Sequence, residues 1–277
     1  MGMTQDTAPR TAGDLASRAV GIRVSGVDKV YPTRRGEVHA LSSIDLEVGR
    51  GEFVSLVGRS GCGKTTLLRI LSGLLAPSAG SVEAGGRPAW VAGRRDDAVF
   101  AEFGLVFQEA NLFPWFTVAE NVGLPLKLRG AGKAARRARA AELCATVGLS
   151  GFEESYPREL SGGMRQRAAI ARALACDPSV LLMDEPFGAL DALTRDRMNL
   201  ELQQIHAVSG ATVVFVTHSI PEAVFLADRV VLLTPRPGRI RSVVPVGLAR
   251  PRAAGVESEQ EFGEIVAGLR RELDRED

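Results

Sequence analysis

The sequence predicts an α/β protein with a mainly parallel core sheet, an antiparallel β subdomain and an inserted helical subdomain. Three observations predict this class. In the second half, short apolar segments alternate with helical segments, as in sheets whose strands are joined by crossover helices. Near the N-terminus, apolar residues recur with the period of two that is typical of half-buried strands. Between these regions, helical signals dominate.

The chain has 277 residues, which is enough for one large core. We expect a flexible tail at residues 1–20, one large domain at residues 21–250 with the helical subdomain at about 109–176, and a C-terminal amphipathic helix at residues 251–277. Ser258 and Glu261 have capping-box spacing at the start of that helix. Its predicted apolar face consists of Phe262, Ile265, Val266, Leu269 and Leu273.

The first elements are predicted to be strands. The segments IRVSGVDKVY and SIDLEV alternate with period two, and GRGE forms a turn after them. EFVSLVG is an apolar strand that runs into a glycine-rich loop, and TTLLRILSGLL continues as a helix. PSAGSVEAGGRP predicts a hairpin, and FGLVFQ predicts a buried strand that ends at Gln108.

The next elements are predicted to be helices. TVAENVGLPLKL indicates a short helix that stops at Pro125, and KAARRARAAELCATVGL indicates a helix that ends at Gly148. SGGMRQRAAIARALA begins at Ser161, a good N-cap residue. Strands return at VLLMD, TVVFVTH and RVVLL, and the helix DALTRDRMNLELQQIHAV lies between the first two.

Composition excludes several classes of function. The net charge is +1, from 34 basic and 33 acidic residues, which gives no electrostatic reason to expect nucleic acid as a partner. Three widely spaced cysteines offer neither a disulfide framework nor a zinc site and favour a reducing cytoplasm. No apolar run approaches the roughly 20 residues that a membrane-spanning helix needs. We therefore expect any membrane role to depend on a partner chain.

A phosphate loop lies between the third strand and the first helix. Gly58, Gly63, Lys64 and Thr65 fit the pattern G-x-x-x-x-G-K-[ST] in the strand–loop–helix context that this pattern requires. Backbone amides and the helix N-terminus favour phosphate oxygens. Lys64 is expected to reach the β- and γ-phosphates, and Thr65 to hold Mg²⁺.

An acidic pair follows the apolar strand VLLMD. Asp184 suits a water-mediated partner of Mg²⁺, and the adjacent Glu185 suits the role of a base that polarises an attacking water. The alternative is a surface acidic pair after a strand, which the phosphate loop in the same chain disfavours.

Three further side chains follow strands and leave two interpretations open. Gln108 could reach Mg²⁺ or water, or be an ordinary loop residue. His218 could contact the γ-phosphate, or be structural. Tyr31 could stack on adenine, or be an exposed strand aromatic.

The segment LSGGMRQR contains a second candidate for phosphate binding. Ser161, Gly162 and Gly163 combine a hydroxyl with two unhindered amides, which form an anion-binding nest. One nucleotide rarely needs two such nests in one chain. We therefore expect this nest to serve a nucleotide held by a second copy.

Together these residues resemble the ATP-binding cassette (ABC) family of transport ATPases over about residues 22–245. The resemblance implies the P-loop NTPase fold of the ABC cassette, ATP and Mg²⁺ as ligands, and a head-to-tail homodimer in which the signature of one subunit completes the other's ATP site. It assigns Asp191 to the D-loop and the switch role to His218. The implied metal residues are Thr65, Gln108 and Asp184, and the implied catalytic residues are Glu185, His218, Gln108 and Lys64. The implied nucleotide-binding residues are Tyr31, Gly58, Arg59, Ser60, Gly61, Cys62, Gly63, Lys64, Thr65, Thr66, Gln108, Ser161, Gly162, Gly163 and Asp191.

A narrower resemblance concerns the importers of nitrate, sulfonates and taurine. QEANLFPWFTVAENV, with Phe113, Pro114 and Trp115, is similar to the segment with which such cassettes meet their permease, and TPRPGRI is also typical of the group. We expect a subunit at the cytoplasmic face of the inner membrane that powers uptake of a small anionic solute through a separate permease, with an external solute-binding protein.

Other ABC roles remain as alternatives. They are an exporter cassette, the cassette of another small-molecule importer, and a soluble ABC ATPase outside transport. The last commonly carries a long coiled-coil insertion, for which the about 45 residues between Gln108 and Glu154 leave no room.

Overall fold

A six-stranded sheet forms the centre of the protein. The computed structural model describes residues 20–34, 36–91 and 93–275. The tail predicted at residues 1–20 lies outside the described residues except for its last position. The strands are β1 (Val20–Thr33), β2 (Gly36–Gly49), β3 (Phe53–Val57), β4 (Ala79–Ala84), β5 (Arg87–Pro88), β6 (Trp90–Val91), β7 (Arg94–Arg95), β8 (Phe103–Val106), β9 (Val180–Asp184), β10 (Thr212–Val216), β11 (Arg229–Leu233) and β12 (Ile240–Pro245).

α-Helices lie in five of the connections between consecutive strands, and one more helix follows β12. They are α1 (Lys64–Leu71), α2 (Asp97–Phe100), α3 (Val118–Leu128), α4 (Lys133–Thr146), α5 (Gly162–Leu174), α6 (Ala192–Ser209), α7 (Ile220–Leu226) and α8 (Gln260–Asp274). Among the described residues, none of these helices is long and apolar enough to cross a membrane.

The central sheet has the order β12-β11-β3-β10-β9-β8. Its neighbouring strands are parallel except for β12, which pairs antiparallel with β11 at one edge. Parallel strands that are covered on both faces read as continuous apolar runs, and β3 and β10 are buried throughout. Because the strands are parallel, their carboxyl ends meet at one edge, which is where ligands bind in open α/β sheets.

Side-chain alternation divides the core between the two faces of the sheet. Phe53 and Phe215 belong to a cluster on the side of the later helices. Val54 and Val214, their neighbours in sequence, belong to a second cluster that includes α1 and the first strands. Successive strand residues point to opposite faces, so each strand contributes to both clusters.

The N-terminal strands form a separate four-stranded antiparallel sheet with the order β2-β1-β4-β5. The predicted hairpin in PSAGSVEAGGRP is present as β4 and β5. The antiparallel β region, the mainly parallel core and the helical segment between β8 and β9 are all present, and the predicted fold class is confirmed.

The prediction that a helix stops at Pro125 is wrong, because α3 continues to Leu128. Proline inside a helix removes one backbone hydrogen bond and costs about 3 kcal/mol. The buried side of α3 opposes this cost, since Val118 and Val122 are fully buried against α4 and α5. Gly123 faces α4, where a Cβ would make an ordinary van der Waals contact at 3.5 Å with the Cβ of Arg136.

Two element boundaries also differ from expectation. Strand β8 ends at Val106, so Gln108 lies two residues beyond the strand. Helix α8 begins at Gln260 with Glu259 as its N-cap and without a side-chain cap, so the predicted capping box of Ser258 and Glu261 is wrong. Ser258 instead belongs to a short 3-10 turn before the helix.

The predicted apolar face of the last helix packs on the core. Phe262, Val266 and Leu269 are buried in the cluster that covers the helical side of the sheet. Ile265 and Leu273 are partly buried against the same cluster. Apolar side chains at helical spacing therefore fix α8 to its own chain.

Candidate nucleotide-binding site

The phosphate loop joins the end of β3 to α1 and is closely packed. Gly61 and Gly63 have φ values of 77° and 103°, which favour glycine. A Cβ at Gly63 would lie 2.6 Å from Cδ2 of Leu41. Helix α1 has no acidic residue in its first turn and no side-chain cap. Its first amides are therefore available to an anion.

A cavity of about 480 Å³ opens beside this loop. It brings together residues that are far apart in the sequence, including Tyr31 from β1, Lys64 from α1 and His218 from the segment after β10. Of the predicted loop residues, Gly58, Arg59 and Cys62 do not line it. The lining residues are Tyr31, Thr33, Val38, Ala40, Ser60, Gly61, Gly63, Lys64, Thr65, Thr66, Glu185, His218 and Arg236.

Lys64 is folded back onto the phosphate loop. Its Nζ donates to the carbonyl oxygens of Gly58 at 2.8 Å and Arg59 at 3.3 Å. The side chain is buried, at 6% exposure, so its charge is satisfied by the same loop that would hold phosphates. Arg59 points elsewhere, with Nη2 at 3.8 Å from Oδ1 of Asp274 in α8. Cys62 is buried beneath the loop.

Thr65 lines the cavity, and Asp184, which does not line it, lies directly against Thr65. The Thr65 hydroxyl donates to Oδ1 of Asp184 at 3.0 Å. Burial raises the pKa of Asp184, and the neighbouring Glu185 acts in the same direction, whereas the bond from Thr65 and the charges of Arg69 and Lys64 oppose it. This hydroxyl–carboxylate pair offers the hard oxygen donors that Mg²⁺ prefers, so these residues fit the ion.

Glu185 faces the cavity from an unusual backbone conformation. Its φ is 44°, a value that few residues other than glycine adopt, and its amide donates to the carbonyl of Val216 at 2.9 Å. Oε2 of Glu185 lies 3.2 Å from Nδ1 of His218. The two strand ends thus place a carboxylate and an imidazole next to each other at the mouth of the cavity.

A buried network that the sequence did not indicate holds the turn around His218. The Thr217 hydroxyl donates to Glu222 of α7 and accepts from the amide of Ser219 at 3.0 Å. Glu222 is only 6% exposed, and its Oε1 has no hydrogen-bond partner among the described residues. Burial raises the pKa of Glu222, with the charge of Glu185 adding to the effect. The sequence signal for this network is a threonine that is followed, five residues later, by a glutamate in a short helix.

Gln108 does not line the cavity but lies near its acidic side. Its Nε2 would be 3.6 Å from a Cβ placed on Gly188, and Oε2 of Glu185 would be 3.7 Å from that same point. The amide of Gly188 donates to the carbonyl of Glu185 at 3.1 Å. The side-chain amide of Gln108 and the carboxylate of Glu185 therefore lie on the same side of Gly188.

Comparison with known proteins identifies the fold and its ligand. The family model described as "ABC transporter" matches residues 41–188, which is more than half of the chain. The chain belongs to the ABC transporter family. The predicted resemblance is confirmed, and the chain carries the ATP-binding ATPase domain of this family.

Curated ABC relatives match most of the chain. A taurine import ATP-binding protein of Burkholderia pseudomallei is 46% identical over 255 residues, covering 90% of this chain and 95% of the relative. A nitrate import ATP-binding protein of Synechocystis is 46% identical over 227 residues, covering 82% and 83%. An uncharacterised ABC transporter ATP-binding protein of Methanocaldococcus jannaschii is 49% identical over 233 residues, covering 84% and 85%.

Solved ABC structures share the fold. A dimeric ATP-binding cassette in a post-hydrolysis state with bound ADP and phosphate is 35% identical to this chain, with a TM-score of 0.72, and covers 81% of this chain and 98% of that one. A second dimeric structure of a bacterial ABC transporter cassette gives the same values.

The predicted signature segment of this ABC chain lies outside the cavity beside the phosphate loop. Ser161 is the N-cap of α5, and its hydroxyl accepts from the amide of Met164 at 3.3 Å. Ser161 and Gly162 are exposed, and Gly163 packs against α6, where a Cβ would lie 3.0 Å from Cγ2 of Thr194. None of these three residues is among those that line the cavity.

Asp191, predicted to act in the D-loop, has a local structural role. It is the N-cap of α6, and its carboxylate accepts from the Thr194 amide at 3.0 Å and from the Thr194 hydroxyl at 2.8 Å. These bonds, the backbone one first, lower the pKa of Asp191. The predicted signature and Asp191 thus lie close together at the start of α6, and none of these residues lines the cavity.

An exposed aromatic cluster precedes α3. Phe113 and Trp115 are 37% and 66% exposed, with ring centroids 5.6 Å apart, and Phe116 packs beside both. The fully buried Asn121 holds this loop: it accepts from the Phe113 amide at 2.8 Å and donates to the carbonyls of Phe113, Phe116 and Thr117. The aromatic rings are therefore presented on a fixed backbone.

Proposed function

We propose that this protein is the ATP-hydrolysing subunit of an importer, acting as a homodimer beneath a separate permease. The observation that carries the dimer is the position of the signature segment. Ser161 and Gly162 are exposed at an end of α5, whereas the chain's own ATP cavity is lined by other residues. This phosphate-binding nest lies apart from the phosphate loop of its own chain. It is therefore available to complete the open cavity of a second copy.

We propose that Glu185 is the base and His218 its orienting partner in this reaction. The carboxylate faces the cavity, and the imidazole at 3.2 Å limits its rotation. A positioned base of this kind contributes about 10²- to 10⁴-fold to a rate. Lys64 would leave the carbonyl of Gly58 and turn toward the β- and γ-phosphates when ATP enters. Tyr31 offers its ring to adenine.

Thr65 and Asp184 would hold Mg²⁺, with Gln108 near the same side of the cavity. When bound, the ion would neutralise charge on the β- and γ-phosphate oxygens. The chain's own part is to keep the Thr65 hydroxyl and the Asp184 carboxylate in contact before the ion arrives. Such preorganisation lowers the cost of ordering the site.

The importer role rests on two observations. Relatives with about 46% identity over 82–90% of the chain are named as taurine and nitrate import proteins. The aromatic cluster of Phe113, Trp115 and Phe116 is exposed on a loop that Asn121 fixes, as a docking surface requires. We propose that this surface binds the permease, that the subunit lies at the cytoplasmic face of the inner membrane, and that the solute is a small anion delivered by an external binding protein.

An uptake experiment tests this role. The chromosomal copy would be replaced by the Glu185→Gln variant, and uptake of labelled taurine, nitrate and alkanesulfonates would be measured in whole cells. We expect uptake of one of these anions to fall to the level of a permease deletion. Normal uptake of all of them, or accumulation of a solute that is normally exported, would overturn the proposed role.

A further inference from the structure

One wall of the ATP cavity comes from the loop between β11 and β12. Residues 234–239 connect β11 to β12, and Arg236 of this loop lines the same cavity as Tyr31 and Lys64. Its Nη2 lies 3.5 Å from the carbonyl oxygen of Gly61, in the middle of the phosphate loop. The guanidinium is thus placed at the edge of the space that ATP enters.

The loop that carries Arg236 is fixed against the phosphate loop. Gly238 approaches it so closely that a Cβ would lie 2.0 Å from the carbonyl oxygen of Cys62. Its amide donates to Ala40 at 3.0 Å, and its carbonyl accepts from Ser42 at 2.9 Å. Within the loop, the amide of Thr234 donates to the carbonyl of Arg239 at 2.9 Å. Arg236 therefore projects from a backbone held at both ends.

No described carboxylate compensates the charge of Arg236. Among the described residues, none lies within ion-pair distance of this guanidinium, and its one hydrogen bond, to the carbonyl oxygen of Gly61, is at the limit of hydrogen-bond length. Water alone can solvate the guanidinium of an ordinary surface arginine. Arg236 instead lines a cavity that would hold a polyanion. A cation at the mouth of such a cavity attracts and orients the incoming ligand.

The end of the cavity at which Arg236 stands follows from its neighbours. Gly238 is bonded to Ala40 in β2, and β2 pairs Val38 with Tyr31 of β1. Glu185 and His218 come from the other wall, at the ends of β9 and β10. Arg236 is therefore adjacent to the wall that carries Tyr31 and to the middle of the phosphate loop.

We propose that Arg236 is a nucleotide-binding residue that contacts the nucleoside and α-phosphate part of ATP. Arginine suits this place because its planar guanidinium can donate two bonds to one phosphate or stack on a base. A contact at this end is shared by ATP and ADP. Arg236 would therefore set affinity for both nucleotides and leave the hydrolytic step to the opposite wall. The role rests on ATP binding in this cavity and not on the importer role.

Nucleotide titration of purified variants tests the assignment. Arg236→Ala should raise the Kd for ATP and for ADP by similar factors of about 10 to 100, the range of a charge-assisted bond. Arg239→Ala is the matched control, because Arg239 is exposed in the same loop but does not line the cavity, and its Kd values should equal those of the wild type. Lys64→Ala shows that the assay reports on this cavity.

Two further outcomes distinguish a direct contact between Arg236 and the nucleotide from a structural role of Arg236 in its loop. Arg236→Gln keeps a donor for the Gly61 carbonyl but carries no charge, so it should bind as weakly as the alanine variant. Wild-type affinity in Arg236→Gln would show that Arg236 merely supports the loop. Unchanged affinity in Arg236→Ala, or a loss for ATP without a loss for ADP, would also overturn the assignment. Loss of binding in none of the variants, Lys64→Ala included, would instead refute the cavity itself.

Discussion

His218 Nδ1 lies 3.2 Å from Glu185 Oε2, across the ends of two neighbouring parallel strands. β9 and β10 are in register at this point, with Asp184 opposite Val216. Glu185 follows Asp184 directly, and His218 lies two residues after Val216; both line the cavity, and the amide of Glu185 donates to the carbonyl of Val216. Strand pairing therefore sets the distance between the two side chains, and small changes in that pairing would separate them.

Glu185→Gln should retain ATP binding, lower turnover at least about 100-fold and accumulate an ATP-bound dimer, because glutamine keeps the shape of the side chain and cannot accept a proton. Phosphate release and size-exclusion chromatography with and without ATP measure both effects. Glu264→Gln, at an exposed position of α8, is the control and should behave as the wild type. Undiminished hydrolysis in Glu185→Gln would exclude it as the base.

His218→Ala should lower kcat with little change in the Kd for ATP, because the imidazole acts through the Glu185 carboxylate. Residues that act as one unit are strongly non-additive. The double variant Glu185→Gln/His218→Ala should therefore be within about threefold of Glu185→Gln alone. Single-turnover kinetics of the wild type, the two single variants and the double variant complete this double-mutant cycle. Losses that multiply would show that the two side chains act independently.

Ser161→Arg should spare ATP binding by the monomer and prevent dimer closure, because a long cation replaces a small cap on the exposed nest. The variant is best made in the Glu185→Gln background, where ATP-bound dimers accumulate. Ser150→Arg makes the same change at another exposed serine between the helices and should leave the dimer intact. A normal ATP-driven dimer in the Ser161→Arg protein contradicts the shared site.

Trp115→Ala should reduce the fraction of the protein that sediments with membranes containing its permease, while the Kd for ATP stays unchanged. Stability should change by no more than about 0.5 kcal/mol, because the side chain is 66% exposed. Val208→Ala removes apolar surface from an 82% exposed position on α6 and serves as the control. Equal losses of membrane association and ATP binding would remove the docking assignment.

Glu222→Gln should reduce the dependence of the free energy of unfolding on pH. Burial raises the pKa of Glu222 from 4.5, the Thr217 hydroxyl and the charges of Arg195 and His218 oppose this, and Glu185 adds to it. The folded state therefore keeps a proton that the unfolded chain has lost, so this group's contribution to stability falls as pH rises above 4.5. Glutamine does not ionise, so the variant should not lose this contribution to stability as the pH rises.

Urea unfolding of Glu222→Gln and wild type at a series of pH values measures this effect. The difference in free energy of unfolding should shift in favour of the variant as pH increases. Glu222→Ala is a second comparison, and it should be less stable at every pH because Thr217 loses its acceptor. A difference between wild type and Glu222→Gln that is the same at every pH would show that Glu222 has an ordinary pKa.

Local signals predicted the elements that depend on a few adjacent residues. The glycines of the phosphate loop, Ser161 as the N-cap of α5 and the apolar run before Asp184 each mark a structure that forms within about ten residues. Pro125 shows the limit of such signals, since burial of Val118 and Val122 continues α3 past a residue that breaks isolated helices. Packing contributes more there than the one lost hydrogen bond.

The sequence by itself determined the ABC cassette, its phosphate loop, its signature segment and the acidic pair, because their chemistry depends on residue types at fixed short spacings. Only the tertiary structure decided that Arg236 shares a cavity with Tyr31, and that Glu222 and Asn121 support the functional loops. The physical reason is that these contacts join segments brought together by sheet pairing and side-chain burial, and neither leaves a pattern in a single stretch of chain.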